Sequence, residues 1–110
     1  MKYALLIYQG EGAYGPEKTD QDCDAQHQAV AEILGAKRLG SAGLKSTTIA
    51  TTVRGSSAKT VHDGPFAETK EQLAGFYLIE AADLDEAIGI AKRVRHAGAI
   101  EIRPVSSYID

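Results

Sequence analysis

The sequence has a single cysteine, Cys23, so it can form neither an intrachain disulfide nor a cysteine-based zinc cage. Such sparing cysteine use suits a reducing cytoplasm. The chain also lacks an excess of one charge. Twelve Lys and Arg stand against fifteen Asp and Glu, a net charge of -3 with no long block of either sign. A dedicated nucleic-acid binder would show a basic face, so this balance argues against that class. Long hydrophobic runs are missing too. The apolar stretch Tyr3 to Tyr8 is too short for a signal-peptide core plus cleavage site, and nothing approaches the ~18 residues that a membrane span needs. The expectation is a soluble, unexported protein without a membrane partner. A chain of 110 residues is long enough for one domain with its own core and too short for two.

Two patterns suggest ligand loops but lack the residues their chemistry needs. Gly10, Gly12 and Gly15 spell G-x-G-x-x-G directly after an apolar strand. A dinucleotide turn needs a helix opening on the glycines and an acid roughly twenty residues on, at the end of a parallel strand. Here Gly15 runs into Pro16 and the helix starts several residues later, so Gly10 to Lys18 reads as a glycine-rich loop. Asp20, Asp22 and Asp24 have calcium-loop spacing, but Ala25 and Ala31 occupy the positions that require glycine and glutamate. These acids instead suit the positive end of a helix dipole.

What is present is a clear alternation of element types. Lys2 to Gln9 is a strand with Tyr3, Leu5 and Ile7 on one face and Ala4, Leu6 and Tyr8 on the other. Thr19 to Leu39 is a helix on which Cys23, His27, Val30 and Leu34 form a buried stripe. Short β elements follow at Ser41 to Leu44, Thr48 to Arg54 and Ala58 to His62, the last two joined through Gly55-Ser56-Ser57 as a hairpin arm. Asp63-Gly64-Pro65-Phe66 is a rigid turn, since proline fixes its own φ and restricts the glycine before it. Leu73 to Ala81 is a second strand apolar on both faces, with Tyr77 and Ile79 opposed to Phe76 and Leu78. Asp83 caps a second helix, with Glu86 in capping-box position and Leu84, Ala87, Ile88, Ala91 and Val94 as its buried stripe. Lys92, Arg93, Arg95 and His96 complement the negative end of that helix, and Gly98 ends it. Ala99 to Val105 is the closing strand, placed near an edge by Pro104.

This order is the α+β plan of a ferredoxin-like βαββαβ sandwich with an added β-hairpin. In that plan the first and third strands are central and both helices lie on one face. The two central strands are apolar on both faces, so a second layer is needed. The expected source is the same sheet of a second subunit, giving a homodimeric α+β barrel.

The string D-G-P-F-A-E-T-K-E-Q-L at Asp63 to Leu73 is the most distinctive in the chain. It is accompanied by M-K-Y-x-L-L-I-Y at the start, A-T-T-V-R at Ala50 to Arg54, G-F-Y-L-I-E at Gly75 to Glu80, D-L-D-E-A at Asp83 to Ala87 and I-E-I-R-P-V at Ile100 to Val105. Together these resemble the DGPF subgroup of the YCII-related family, small dimeric α+β barrel proteins. The segment His96-Ala97-Gly98 is shorter than in many relatives, a difference expected to alter a rim of the site and not the fold.

His27 is the leading candidate for chemistry, because an imidazole titrates near neutral pH. On the residues alone, a core histidine bonded to a neighbour is favoured. The resemblance reverses this, since related proteins carry a helix-borne histidine proposed to act with an aspartate as an acid–base pair. Asp63 is the partner by residue type, while an aspartate before Gly-Pro is equally a turn residue bonding its own backbone, and both readings stand. Tyr8 and Tyr77 are candidate pocket residues, although amphipathic core positions are the commoner role for such tyrosines. Lys70 and Arg103, with Glu71 nearby, are candidates for binding an anionic substrate, against the commoner role of surface ion pairs. His62 reads as an edge-strand residue, and neither a metal site nor a cofactor is expected. The function these observations suggest is a small cofactor-independent enzyme using His27 on a small cyclic or aromatic organic acid, in an isomerase, lyase or dehalogenase type of reaction. The alternative is a non-catalytic ligand-binding or regulatory protein of the kind linked to extracytoplasmic-function sigma factors.

Overall fold

Alternating burial along two strands sets the architecture. In β1 (Lys2–Gln9), Tyr3, Leu5 and Ile7 are buried, and each intervening residue is only half-buried. The computed structural model describes residues 1–10, 35–94 and 98–108 of the chain. The expected first helix with Cys23 and His27, and the glycine loop after Gly10, lie outside these residues. The described elements continue as β2 (Arg38–Gly43), β3 (Thr51–Arg54), β4 (Thr60–Asp63), β5 (Gln72–Glu80), α1 (Leu84–Arg93) and β6 (Ala99–Pro104). Among the described residues no helix is long and apolar enough to cross a membrane.

The four long strands form one antiparallel sheet in the order β2-β5-β1-β6, and β3 pairs with β4 in a separate two-stranded sheet. With the hairpin set aside, this is the strand order of the ferredoxin-like α+β fold, with the two doubly apolar strands in the middle. Register explains the burial. Tyr3 stands opposite Ile79, and Leu5 opposite both Tyr77 and Ile102, so their side chains share the inner face. That face packs on Ala87, Ile90, Ala91 and Val94 of the α1 segment. On the outer face, Leu6 is opposite Phe76 and Ala4 opposite Leu78, all half-buried. Between Ile7 and Tyr8 the register slips, so that Tyr8 faces Leu73 and Ala74 is the extra residue of a β-bulge. The bulge keeps Leu73 on the outer face beside Tyr8.

Several boundaries move from those expected. The first helix cannot run to Leu39, because Gly35 adopts φ +56, Gly35–Lys37 is a 3-10 turn and Arg38 already begins β2. A left-handed glycine does not continue a helix, and Gly35 takes that conformation five residues before Gly40. The β arm is shorter than expected: Thr47–Ile49 is a 3-10 turn capped by the Ser46 hydroxyl, which accepts from the Thr48 amide at 3.2 Å. Arg54 pairs with Thr60, so the arm's loop is Gly55 to Lys59 and not the three-residue turn. In α1 the buried stripe contains Ile90, while Leu84, in the first turn, is exposed.

Asp83 caps α1 as expected, its Oδ1 accepting from the Glu86 amide at 2.9 Å. The reciprocal bond differs from a capping box. Glu86 Oε1 accepts from the Ala82 amide at 3.2 Å, one residue before the cap, and from Lys37 Nζ at 2.6 Å. That bond, with the Ala82 amide next in weight, holds the Glu86 carboxyl below the usual glutamate range. Gly98 does not end the helix, which closes at Val94 as C-cap. Its role is close approach: a Cβ there would lie 2.0 Å from the Tyr8 carbonyl oxygen and 2.9 Å from Gln9 Cα.

Candidate functional site

The Asp63-Gly64-Pro65-Phe66 turn needs a residue that tolerates positive φ, and Gly64 supplies it at +110°. Three residues of the arm hold the turn. The Gly64 amide donates to the Ala50 carbonyl at 2.7 Å, the Thr52 hydroxyl donates to the Gly64 carbonyl at 2.7 Å, and Arg54 Nη2 donates to the Phe66 carbonyl at 3.0 Å. His62 Nε2 lies 3.5 Å from the Pro65 carbonyl oxygen. Two distinctive strings of the sequence, A-T-T-V-R and D-G-P-F, are therefore two halves of one clasp. Beyond the turn, Gln72 Nε2 donates back to the Ala67 carbonyl at 3.0 Å and Thr69 donates to the Glu71 carbonyl, which shapes the segment leading into β5.

Between this segment and the 3-10 turn before β3 lies an open groove of about 470 Å³. Gly64 and Pro65 form part of its wall, and its polar side chains are Thr47, Thr48, Asp63, Glu68, Thr69 and Gln72. Both charged residues are acids. Neither carboxylate has a hydrogen bond or ion pair within the described residues, so their lone pairs are available to a ligand or to solvent. Such a lining offers acceptors and hydroxyls. It is suited to orienting a proton-bearing group and poorly suited to an anion.

The expected site residues are distributed unevenly about this groove. Asp63, the last residue of β4, lines it. Tyr77 is 1% exposed in the inner core opposite Leu5 and Ser41, whereas Tyr8 is on the outer face opposite Leu73 and Ala99. The two tyrosines are thus on opposite sides of the sheet and share no pocket. Lys70 is exposed in the segment after the turn, outside the groove lining. Arg103 is exposed on the outer face opposite Ala4, with its Nε 4.0 Å from Glu101 Oε1. Lys70 and Arg103 therefore do not converge with Asp63. His27 lies outside the described residues. Sequence reasoning missed the groove residues Glu68, Thr69, Gln72, Thr47 and Thr48. The signal for them was the polar run on either side of the apolar strands, where nothing but the fold distinguishes a groove wall from a solvated loop.

The pattern of the YCII-related domain matches residues 1–109. An uncharacterized protein of Rhizobium meliloti (strain 1021) is 42% identical over 117 aligned positions, covering 98% of this chain and 94% of that protein. Identity at this level along nearly both whole chains, together with the domain match, makes the chain a member of the YCII-related family.

Proposed function

We propose that this chain, read as a DGPF-type member of its family, is a small cofactor-independent acid–base catalyst acting at the groove beside the Asp63-Gly64-Pro65-Phe66 turn. The observation that carries the proposal is the pairing of a rigidly held turn with an Asp63 carboxylate that lines a groove of about 470 Å³ and has no partner among the described residues. In this reading His27 takes and returns the proton, and Asp63 orients the imidazole and stabilises its charged form. The substrate is a small cyclic or aromatic organic molecule undergoing isomerisation, elimination or dehalogenation. If it is an acid, its carboxylate points away from Asp63 and Glu68, because like charges at close range disfavour binding. The functional unit is a homodimer joined through the outer sheet faces, where Ala4, Leu6, Phe76 and Leu78 form an apolar surface.

The openness of the groove favours a second reading, that of a protein that binds a small ligand without converting it, because catalysis gains most where water is excluded. Regulation linked to extracytoplasmic-function sigma factors belongs to this reading. A thermal-shift screen of small organic acids and their uncharged analogues separates the two, run on the wild type, Asp63→Asn and His27→Asn. Catalysis predicts a ligand that stabilises the wild type, binds folded His27→Asn and is turned over about two to four powers of ten more slowly by it. Undiminished turnover in folded His27→Asn removes the histidine from the mechanism. A ligand that binds through Asp63 and is never consumed supports the binding protein.

A further inference from the structure

We propose that the Lys2 end of the sheet carries a binding site for a small phosphate or phosphoryl group, independent of the catalysis proposed at the signature turn. A second open cavity of about 470 Å³ is lined by Lys2, Val105, Ser106, Ser107 and Tyr108, and it shares no residue with the groove. Its chemistry is the reverse of the groove's. Where the groove presents two carboxylates, this lining has one ammonium group, three hydroxyls and no acid. The local fold explains why these groups meet. The Val105 amide donates to the Lys2 carbonyl at 2.9 Å, which carries the register of β6 one residue past Pro104. The chain then bends at Ser106 and returns, so that the Tyr108 ring centre lies 5.4 Å from Lys2 Nζ. That is cation–π range, and it helps hold the ammonium in place.

The donors at this cavity are largely unspent. Lys2 Nζ is 3.6 Å from Glu80 Oε2, an ion pair longer than a hydrogen bond, and Glu80 Oε1 also accepts from the Met1 amino group at 3.2 Å. One carboxylate thus serves two cations, and Glu80 is not part of the lining. The hydroxyls of Ser106, Ser107 and Tyr108, and the three backbone amides that follow Val105, have no protein acceptor among the described residues. Each by itself would be met by water. Around one cavity with an ammonium group, they can give several charge-assisted hydrogen bonds to a single oxyanion. A phosphoryl group, with three acceptor oxygens and about -1.5 to -2 charge near neutral pH, uses such a donor set more fully than a carboxylate does.

The test follows backbone amide shifts of the full chain by NMR during titration with inorganic phosphate, with chloride holding ionic strength constant and acetate as the carboxylate comparison. The expected result is a saturable shift centred on Lys2 and Ser106 to Tyr108, half-complete at roughly 1–10 mM phosphate and at least ~10-fold weaker with acetate. Lys2→Met removes the charged donor and should weaken phosphate binding at least ~10-fold. Ser106→Ala/Ser107→Ala lies beyond the last strand and should weaken it at least ~3-fold. Glu80→Gln removes the competing carboxylate and should tighten binding about two- to fivefold, a gain that damage to the fold does not produce. Circular dichroism checks that each variant is folded. No saturable shift, a shift centred elsewhere, or unchanged affinity in folded Lys2→Met overturns the inference. If Lys2→Met does not fold, unchanged affinity in the serine variant overturns it, and equal affinity for acetate overturns the assignment to a phosphoryl group.

Discussion

Gly64→Ala isolates the conformational demand of the signature turn. A Cβ at this position meets no atom within 4 Å, so the substitution introduces no clash, and its cost comes from holding an L-residue at φ +110. Such a conformation costs on the order of 1–3 kcal/mol, offset by ~0.4–1 kcal/mol because alanine reduces the entropy of the unfolded chain. The expected net loss is about 1–2 kcal/mol. With a urea dependence of about 1.5 kcal/mol per molar, the unfolding midpoint should fall by roughly 1 M. The loss has a second signature, because the Gly64 amide and carbonyl bond Ala50 and Thr52. Relaxing φ weakens the clasp, so amide exchange should speed up in β3 more than in β1. Adding Pro65→Ala should lower the midpoint further by releasing its fixed φ in the unfolded state. An unchanged midpoint in Gly64→Ala, with unchanged exchange in β3, would refute the argument that backbone geometry at this glycine holds arm and turn together.

Gly98→Ala tests the opposite mechanism, since its Cβ would overlap the Tyr8 carbonyl and Gln9 Cα, backbone atoms that cannot rotate away. A loss of about 1–3 kcal/mol is expected in thermal unfolding, against ~0.5 kcal/mol or less for Gly40→Ala, where nothing lies within 4 Å. Lys37→Met should raise the titration midpoint of Glu86 towards the usual glutamate value, read by carboxyl carbon shifts, because the Lys37 ammonium is the main cause of its depression. The sign follows from linkage. A carboxyl depressed in the folded state stabilises fully above its unfolded value, and this contribution is lost as pH falls through the folded value, so the acid limb of stability should weaken in the variant. An identical Glu86 titration in both proteins would assign the depression to the Ala82 amide alone.

The four-stranded sheet was legible because its signals are local and repeated. Tyr3, Leu5 and Ile7 alternate with Ala4, Leu6 and Tyr8 over a whole strand, and Gln72–Glu80 does the same, so element type and central position follow from period two. Boundaries set by a single residue were harder to read. Gly35 and Gly40 look alike in sequence, and only the backbone shows that Gly35 takes the left-handed conformation. Thr48 and Ile49 leave the expected strand for a 3-10 turn, whose start the Ser46 hydroxyl caps by accepting from the Thr48 amide. Of the expected site residues that the structure describes, Asp63 alone lines the groove. Tyr8 and Tyr77 occupy similar apolar strands, yet their faces depend on registers that pair Tyr77 with Leu5 and slip at the Ala74 bulge to pair Tyr8 with Leu73. Lys70 and Arg103 were grouped by charge, which carries no information about which side of the sheet a residue occupies.

The clasp between Ala50–Arg54 and the signature turn changes what the most distinctive string in the chain means. Of its first four residues, Gly64 contributes conformation and two backbone bonds, Pro65 rigidity, and Phe66 a carbonyl acceptor for Arg54. Asp63 is the only one with a charged side chain, and it lines the groove without a protein partner among the described residues. The Thr52 hydroxyl and Arg54 Nη2 help hold the turn, each donating to one of its backbone carbonyls. Asp63 therefore joins Glu68 as one of the two carboxylates of the groove lining, and Thr52→Val should loosen the turn while leaving the Asp63 carboxylate in place. A screen that finds ligand affinity reduced by Thr52→Val and abolished by Asp63→Asn would separate the turn's two roles. Equal loss in both, in folded proteins, would mean that affinity depends on the turn's shape and not on the Asp63 carboxylate.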